Sequence, residues 1–409
     1  MTNDAVTGRW QQLLEKGSSF YKTYGEFLKA AGVGAGTTLL GLAVFYRFGQ
    51  SESYSVLRAF EEGRGLEPLD KRSMIDRKAL VENLLPILQP EESSNYVVIV
   101  GEKGTGKTTA VRQALAALER PRGAVYIDCP ETADEFSVSL AGLIGFRGQL
   151  DITGGAKRRL ESTTKEEKVP DPKDEPLATF KRLRRPLIDA AATFKAKNGR
   201  PMVLVIDSTD FLAKQCPVFL GFLQDFAKKR ADAGDLRIVF ISSDGSALPL
   251  LMARSSWSRA KKPPFEIGEI PDDRAVEYLT KKGVREDEAK VAVANLTGGL
   301  FVALNDFATS SLEGMTYEQL VEQRDRALRL RLIDSKVPIR HALFQHLAKH
   351  QSVEIDKARD LGMGKAQLEG LLKDNILAVH PNNTYTFHDR HTATWFSREV
   401  NKAAWWPGW

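Results

Sequence analysis

Cysteine is scarce in this chain: there are two in 409 residues, Cys129 and Cys216. They stand far apart and match no zinc or redox spacing. That excludes a disulfide scaffold or a thiolate metal site, and it fits a reducing, intracellular compartment. Both read as small apolar core residues. Strong charge of one sign is lacking too. The formal net charge is +5, mildly basic, and does not by itself imply nucleic acid. Compositional bias is absent: 42% hydrophobic and 27% charged residues are ordinary globular values that allow a sizeable core. The length suggests two to three domains.

Long apolar runs are lacking with one exception. Ala30 to Tyr46 carries no charge and is bracketed by Lys29 and Arg47. It sits at the short end of what spans a bilayer. Gly32 and Gly36 have the G-x-x-x-G spacing of close membrane helices, and Tyr46 suits an interface. Four glycines and two threonines dilute it. It also lies behind Asp4, Glu15 and Glu26, too far in for a secretory signal or transit peptide. Two readings stay open: a membrane span over 30–46, or a glycine-rich helix packed on the domain or on a protein partner. Localisation is accordingly membrane-associated or cytoplasmic.

What is present is an octet, Gly101-Glu102-Lys103-Gly104-Thr105-Gly106-Lys107-Thr108, fitting G-x-x-x-x-G-K-[ST]. Tyr96 to Val100 before it reads as a buried strand, and Thr109 to Leu118 after it reads as a helix, the context this phosphate-binding loop needs. Gly101, Gly104, Thr105 and Gly106 let backbone N–H groups close on an anion. Lys107 supplies a point charge to the terminal phosphates, the Thr108 hydroxyl can ligate Mg²⁺, and Thr109 continues the helix N-terminus with its dipole. The pattern points to nucleotide binding.

Organisation follows from periodicity. Residues 1–66 read as a separate N-terminal helical region, with Glu61 to Pro68 as a linker. Over 67–270, Ala124–Asp128, Met202–Asp207, Leu236–Ile241 and Pro264–Ile267 are expected strands alternating with helices, which argues a parallel sheet covered on both faces. Residues 151–176 are nearly free of apolar side chains and read as a mobile insertion. From 271 to 335 helix follows helix, beginning at a cap expected near Asp272. Residues 336–409 carry three helices, then the hairpin Leu377–His380 and Tyr385–His388, the order of a winged helix. An aromatic tail, Trp405 to Trp409, closes the chain.

The second half of a nucleotide site needs metal placement and a polarised water. Asp207 ends an apolar strand where a Walker B aspartate would hold Mg²⁺. The position after it, usually acidic in such ATPases, is Ser208. Asp210 could replace that group if the loop turns inward, or it could cap the next helix. Ser242 and Ser243 end the following strand, where a γ-phosphate sensor or a simple turn would lie. Arg254 and Arg259 are candidates for a charge-stabilising finger, in cis or from a neighbouring subunit, and Arg259 is the favoured one.

Taken together, Ile75 to Leu80, the phosphate loop, Val205 to Asp210, Phe240 to Ser243 and Trp257-Ser258-Arg259 resemble the AAA+/STAND group of P-loop NTPases, closest to archaeal-type ATPases and their fungal relatives. The resemblance covers about 68–335 with a winged helix after it. It implies an α/β fold: a P-loop three-layer sandwich with a mainly parallel sheet, a helical lid and a winged-helix domain. It implies ATP rather than GTP, and the absence of N-K-x-D disfavours GTP independently. It implies Mg²⁺ at Thr108 and Asp207, phosphate at Lys107 and an arginine role for Arg259. The expected function is an ATP-binding ATPase acting as a nucleotide-gated switch or scaffold with a protein partner, and homo-oligomer assembly is compatible with it. Ser208 departs from the pattern and bears on turnover. Leu296 to Leu300 departs where the lid often has Gly-x-Pro. The alternative is a nucleic-acid ATPase with Gly364–Asp374 in a groove, but Glu369 and Asp374 offset Lys365 and Lys373 there.

Overall fold

The computed structural model describes residues 52–65, 75, 77–130, 132–146, 175–243 and 246–402. The apolar stretch 30–46, the helix expected before it, all but the last two residues of the insertion 151–176, and the tail 405–409 lie outside them. Among the described residues, no helix is long and apolar enough to cross a membrane.

Five strands form a parallel sheet. They are β1 (Val97–Val100), β2 (Ala124–Asp128), β3 (Met202–Asp207), β4 (Leu236–Ile241) and β5 (Phe265–Glu266), in the order β2-β3-β4-β1-β5. Each central strand is rich in Val, Ile, Leu and Phe and is buried on both faces, as a parallel sheet between helices requires. Alternation sends Tyr126, Val203, Val205 and Val239 to one face, against Val111 and Ala114 of the helix Lys107–Ala117 and Leu84 and Leu88 of Lys78–Leu88. Val125, Leu204, Ile206 and Phe240 go to the other face. There Phe136, Phe180, Phe194 and Leu223 meet them from the helices Ala133–Leu143, Glu175–Asn198 and Pro217–Ala233. This is the expected three-layer sandwich.

One expected boundary moves. Residues 52–62 are helical, and Val56, Ala59 and Phe60 of that segment are buried with Phe136 and Phe194. The carbonyl of Arg64 accepts from Tyr126 N at 3.2 Å, on the outer side of edge strand β2. Gly65 has φ +89, and a Cβ there would stand 1.8 Å from the Tyr126 carbonyl oxygen. Residues 52–65 are thus part of the nucleotide domain and no linker. The contacts that put them there come from edge strand β2 and its flanking helices, far along the chain, so no local pattern reports them.

Beyond β5, Asp272–Lys281, Glu286–Ala292 (continued by a π turn, Val293–Thr297), Phe301–Leu312 and Tyr317–Ser335 pack Leu279, Leu296, Leu304 and Phe307 into their own core. Asp272 lies inside its helix. Pro271 holds the N-cap position without a side-chain bond, and the Asp272 carboxylate instead accepts from Arg390 at 3.3 Å. The C-terminal module runs Ala342–His350, β6 (Ser352–Glu354), Ile355–Asp360, Lys365–Lys373, β7 (Leu377–Val379) and β8 (Thr384–Phe387), then a helix Arg390–Lys402. Its antiparallel sheet has the order β6-β8-β7. Neither β6, three residues long, nor the last helix was anticipated. That helix brings Trp395 and Phe396 into the module's core, with Phe396 stacked on Phe387 at 4.6 Å.

Candidate functional site

The phosphate loop turns between β1 and the helix Lys107–Ala117. Gly101, Gly104 and Gly106 have φ of 159, 94 and 81. The last two lie in the left-handed region that glycine adopts without penalty. Lys107, buried beneath the loop, donates from Nζ to the carbonyls of Gly101 at 2.8 Å and Glu102 at 2.7 Å. Thr105 is buried and its hydroxyl donates to the Glu102 carbonyl at 3.0 Å. Thr109 follows in the first turn of the helix.

Thr108 and Asp207 come together. The Thr108 hydroxyl donates to Asp207 Oδ2 at 2.7 Å, the Tyr126 hydroxyl donates to the same oxygen at 2.8 Å, and Ser208 N donates to Oδ1 at 2.7 Å. Burial pushes the Asp207 carboxyl up from its ordinary range; those hydrogen bonds pull the other way. A hydroxyl beside a carboxylate suits Mg²⁺, which takes one or two protein oxygens and keeps waters and phosphate oxygens for the rest. These residues fit the ion. Tyr126 was not singled out in the sequence. The available signal was an aromatic with a polar tip on the strand that pairs with β3. Burial and the neighbouring Asp207 raise its phenol.

Asp210 is elsewhere engaged. It accepts from the Ser242 hydroxyl at 2.7 Å, from Ser243 N, from the Ser246 hydroxyl at 3.2 Å and from Ala247 N at 3.2 Å. Its carboxylate ties the crest after β3 to the crest after β4 and meets the start of Ala247–Met252. Ser243 accordingly presents its backbone to Asp210, while its residue also lines a cavity with Gly101 and Glu102.

Arg259 does not reach the phosphate loop of its own chain. Its carbonyl accepts from Tyr96 N at 3.0 Å, at the start of β1. The loop begins at the other end of that strand, roughly 15 Å away at about 3.3 Å per residue. Its half-exposed guanidinium pairs with Asp232 at 2.5 Å. The finger reading in cis is therefore corrected: the chain's path puts Arg259 at the wrong end of the sheet. Arg254 pairs with Asp225 at 2.8 Å.

Three remote segments meet the loop. Arg77 donates to the Thr105 carbonyl at 2.7 Å and the Gly268 carbonyl at 3.0 Å. From the lid, Phe301 N donates to the Gly104 carbonyl at 2.7 Å. Gly299 lies so close to Ile270 that a Cβ would stand 1.9 Å from its carbonyl oxygen, which accounts for glycine where Gly-x-Pro is absent. From the winged module, His380 Nδ1 lies 2.6 Å from Glu266 Oε1, and its Nε2 lies 2.8 Å from Thr386 Oγ1 and 3.9 Å from Glu102 Oε1. Burial, then the charges of Glu269, Asp389 and Glu266, push Glu102 up to about 8. A cavity of about 30 Å³, on the order of one water, separates Gly101, Glu102 and Ser243 from His380 and His388. Both ring nitrogens of His388 are buried without a hydrogen bond among the described residues, and Nδ1 lies 3.6 Å from Asp389 Oδ2. No spacing rule ties His380 or His388 to a loop so far upstream.

Residues 74–240 match the AAA ATPase domain family. Among solved structures, the chain is similar to the Walker-type ATPase PABY2304 of Pyrococcus abyssi, with 19% identity and a TM-score of 0.51 over 81% of this chain and 98% of that one. It is also similar to Cdc6p from Pyrobaculum aerophilum (13% identity, TM-score 0.39, 82% of this chain and 97% of that one). A third is the Aeropyrum pernix ORC1 protein in complex with DNA (16% identity, TM-score 0.42, 82% and 96%). The first likeness is one of fold. No curated protein matches the chain in sequence.

Proposed function

We propose that this chain, whose residues 74–240 are an AAA+ P-loop NTPase domain, binds Mg²⁺-ATP and works as a nucleotide-gated conformational switch. One observation carries the reading: the phosphate loop is touched by the lid through Phe301 N on the Gly104 carbonyl and by the winged module through His380 beside Glu102. A γ-phosphate that rearranges Gly104 or Glu102 changes contacts made by both remote segments. Differential contact of that kind is what a ligand needs to shift a two-state equilibrium. When bound, Mg²⁺ would supply charge neutralisation for the phosphates from Thr108 and Asp207.

Amide exchange tests this. Exchange at Gly104–Lys107, Leu300–Ala303 and Leu377–His380 is expected to differ between ATP and ADP, and Lys107→Ala is expected to abolish the difference. Identical exchange with the two nucleotides would sink the switch.

The nucleic-acid reading is less well supported. The end of the hairpin that would lie on a phosphate backbone is turned toward Glu266 of the ATPase sheet. Lys365, on the helix that would enter a groove, stands 3.8 Å from Glu369. A steep salt dependence of duplex binding would revive it. Tethering through residues 30–46 rests on the sequence alone, and liposome flotation with and without residues 1–51 would decide it. Assembly into homo-oligomers, with Arg259 reaching a neighbour's nucleotide, belongs to the same reading.

A further inference from the structure

We propose that Asp128, at the end of β2, is the catalytic carboxylate that orients the attacking water during ATP hydrolysis. The inference rests on the reading of the site as an ATPase and deepens it.

The group normally adjacent to the metal-binding aspartate is missing. Ser208 stands there with φ 55, its N–H turned back onto Asp207 Oδ1. The next acidic residue, Asp210, is committed to Ser242, Ser243, Ser246 and Ala247. Asp128 comes from a different strand. In the parallel pairing of β2 with β3, Asp128 is the register partner of Asp207, and neighbouring strands run about 4.8 Å apart. Register partners of parallel strands project to the same face. That face is given by Tyr126 and Val205, two residues before each aspartate, which pack against the phosphate-loop helix. Tyr126 already reaches Asp207 Oδ2, the oxygen that also accepts from Thr108. Asp128 is therefore one strand spacing from a carboxylate in contact with the loop. Unlike Asp207 and Asp210, it is exposed, and no hydrogen bond or ion pair engages it among the described residues. It is a carboxylate at the C-terminal edge of the sheet with acceptor oxygens open to water.

In the step itself the water oxygen bonds to the γ-phosphorus as the bond from that phosphorus to the β–γ bridging oxygen breaks. The electron pair of that bond leaves on ADP. Asp128 accepts a hydrogen bond from the water and so directs its lone pair at phosphorus. ATP and water give ADP, hydrogen phosphate and one proton, which passes to solvent.

The test uses the full chain as wild type, Asp128→Asn, Asp128→Glu and Lys107→Ala. It reads turnover, the affinity for a fluorescent ATP analogue, and thermal melting. The expected result is a drop in kcat of about 100-fold or more in Asp128→Asn. Its nucleotide affinity and melting temperature should stay near wild type, and Asp128→Glu should recover part of the turnover. Asp128→Asn turning over at nearly the wild-type rate would overturn the role of Asp128 and leave the ATPase reading intact. Loss of nucleotide affinity in parallel with turnover would make Asp128 a binding or structural group and overturn the proposal. Wild-type protein that binds ATP without turnover would overturn hydrolysis, and Asp128 with it.

Discussion

Asp207 and Asp210 follow each other on one crest and are both buried, 1% and 6% exposed, yet they serve different parts of the molecule. Asp207 faces the phosphate loop through Thr108 and Tyr126. Asp210 faces the adjacent crest through Ser242, Ser243, Ser246 and Ala247. Burial and residue type are shared, so neither tells which aspartate is suited to a ligand and which ties the fold together. The donors do. Asp207 accepts partly from a hydroxyl that can be redirected to a metal, whereas two of the donors to Asp210 are backbone N–H groups that cannot leave.

The sharpest break of that comparison is Asp210→Ala set against Asp207→Asn. Removing Asp210 leaves one buried and one half-buried N–H group and two hydroxyls without their acceptor, and unfolding free energy should fall by about 3–5 kcal/mol. Asp207→Asn should melt close to wild type while ATP affinity loses its dependence on Mg²⁺. Denaturant unfolding and nucleotide titration with and without Mg²⁺ measure both. Exchanged phenotypes would mean that the two roles are assigned the wrong way round.

An intermediate effect sits at Glu102, the loop's own carboxyl. In the fold it is pushed up to about 8 from an ordinary 4.5. Between those values the native state keeps a proton that the unfolded chain has released. This contribution is fully present below about pH 4.5 and is lost as pH rises through about 8. Urea midpoints should therefore decline over that window, and Glu102→Gln should flatten the decline. An equal slope in the variant would move the titration to another group.

The smallest effect is expected at Ser208. Its φ of 55 places a residue with a Cβ in the left-handed region, at a cost of about 1 kcal/mol that glycine avoids in part. Ser208→Gly should raise the melting temperature by a few degrees or less with nucleotide affinity unchanged. A fall would show that the serine side chain, and not its N–H alone, supports Asp207.

Much of the fold was legible. The valine and isoleucine runs marked the strands because a parallel sheet buries both faces. Glycine spacing marked the phosphate loop because backbone N–H groups cannot close on an anion without positive φ. The helix–helix–hairpin order marked the C-terminal module. Less of the site was. Tyr126 reads as one more strand aromatic until β2 is laid beside β3. Arg259 reads as a finger for its own chain's loop until its carbonyl is placed on Tyr96, at the far end of β1. His380 and His388 carry no motif, and they meet the loop only because the winged module docks there.

Local sequence determined what depends on neighbours in the chain: which segments form strands and helices, where the phosphate loop turns, and that Lys107, Thr108 and Asp207 are the residues suited to phosphate and metal. Tertiary structure alone decided what depends on register and docking: that Asp128 stands beside Asp207, that Asp210 faces β4, and that Phe301 and His380 rest on the loop. The reason is physical. Backbone conformation answers to nearby side chains, whereas strand pairing and domain contact are set by surfaces that meet only after the whole chain has buried its apolar faces.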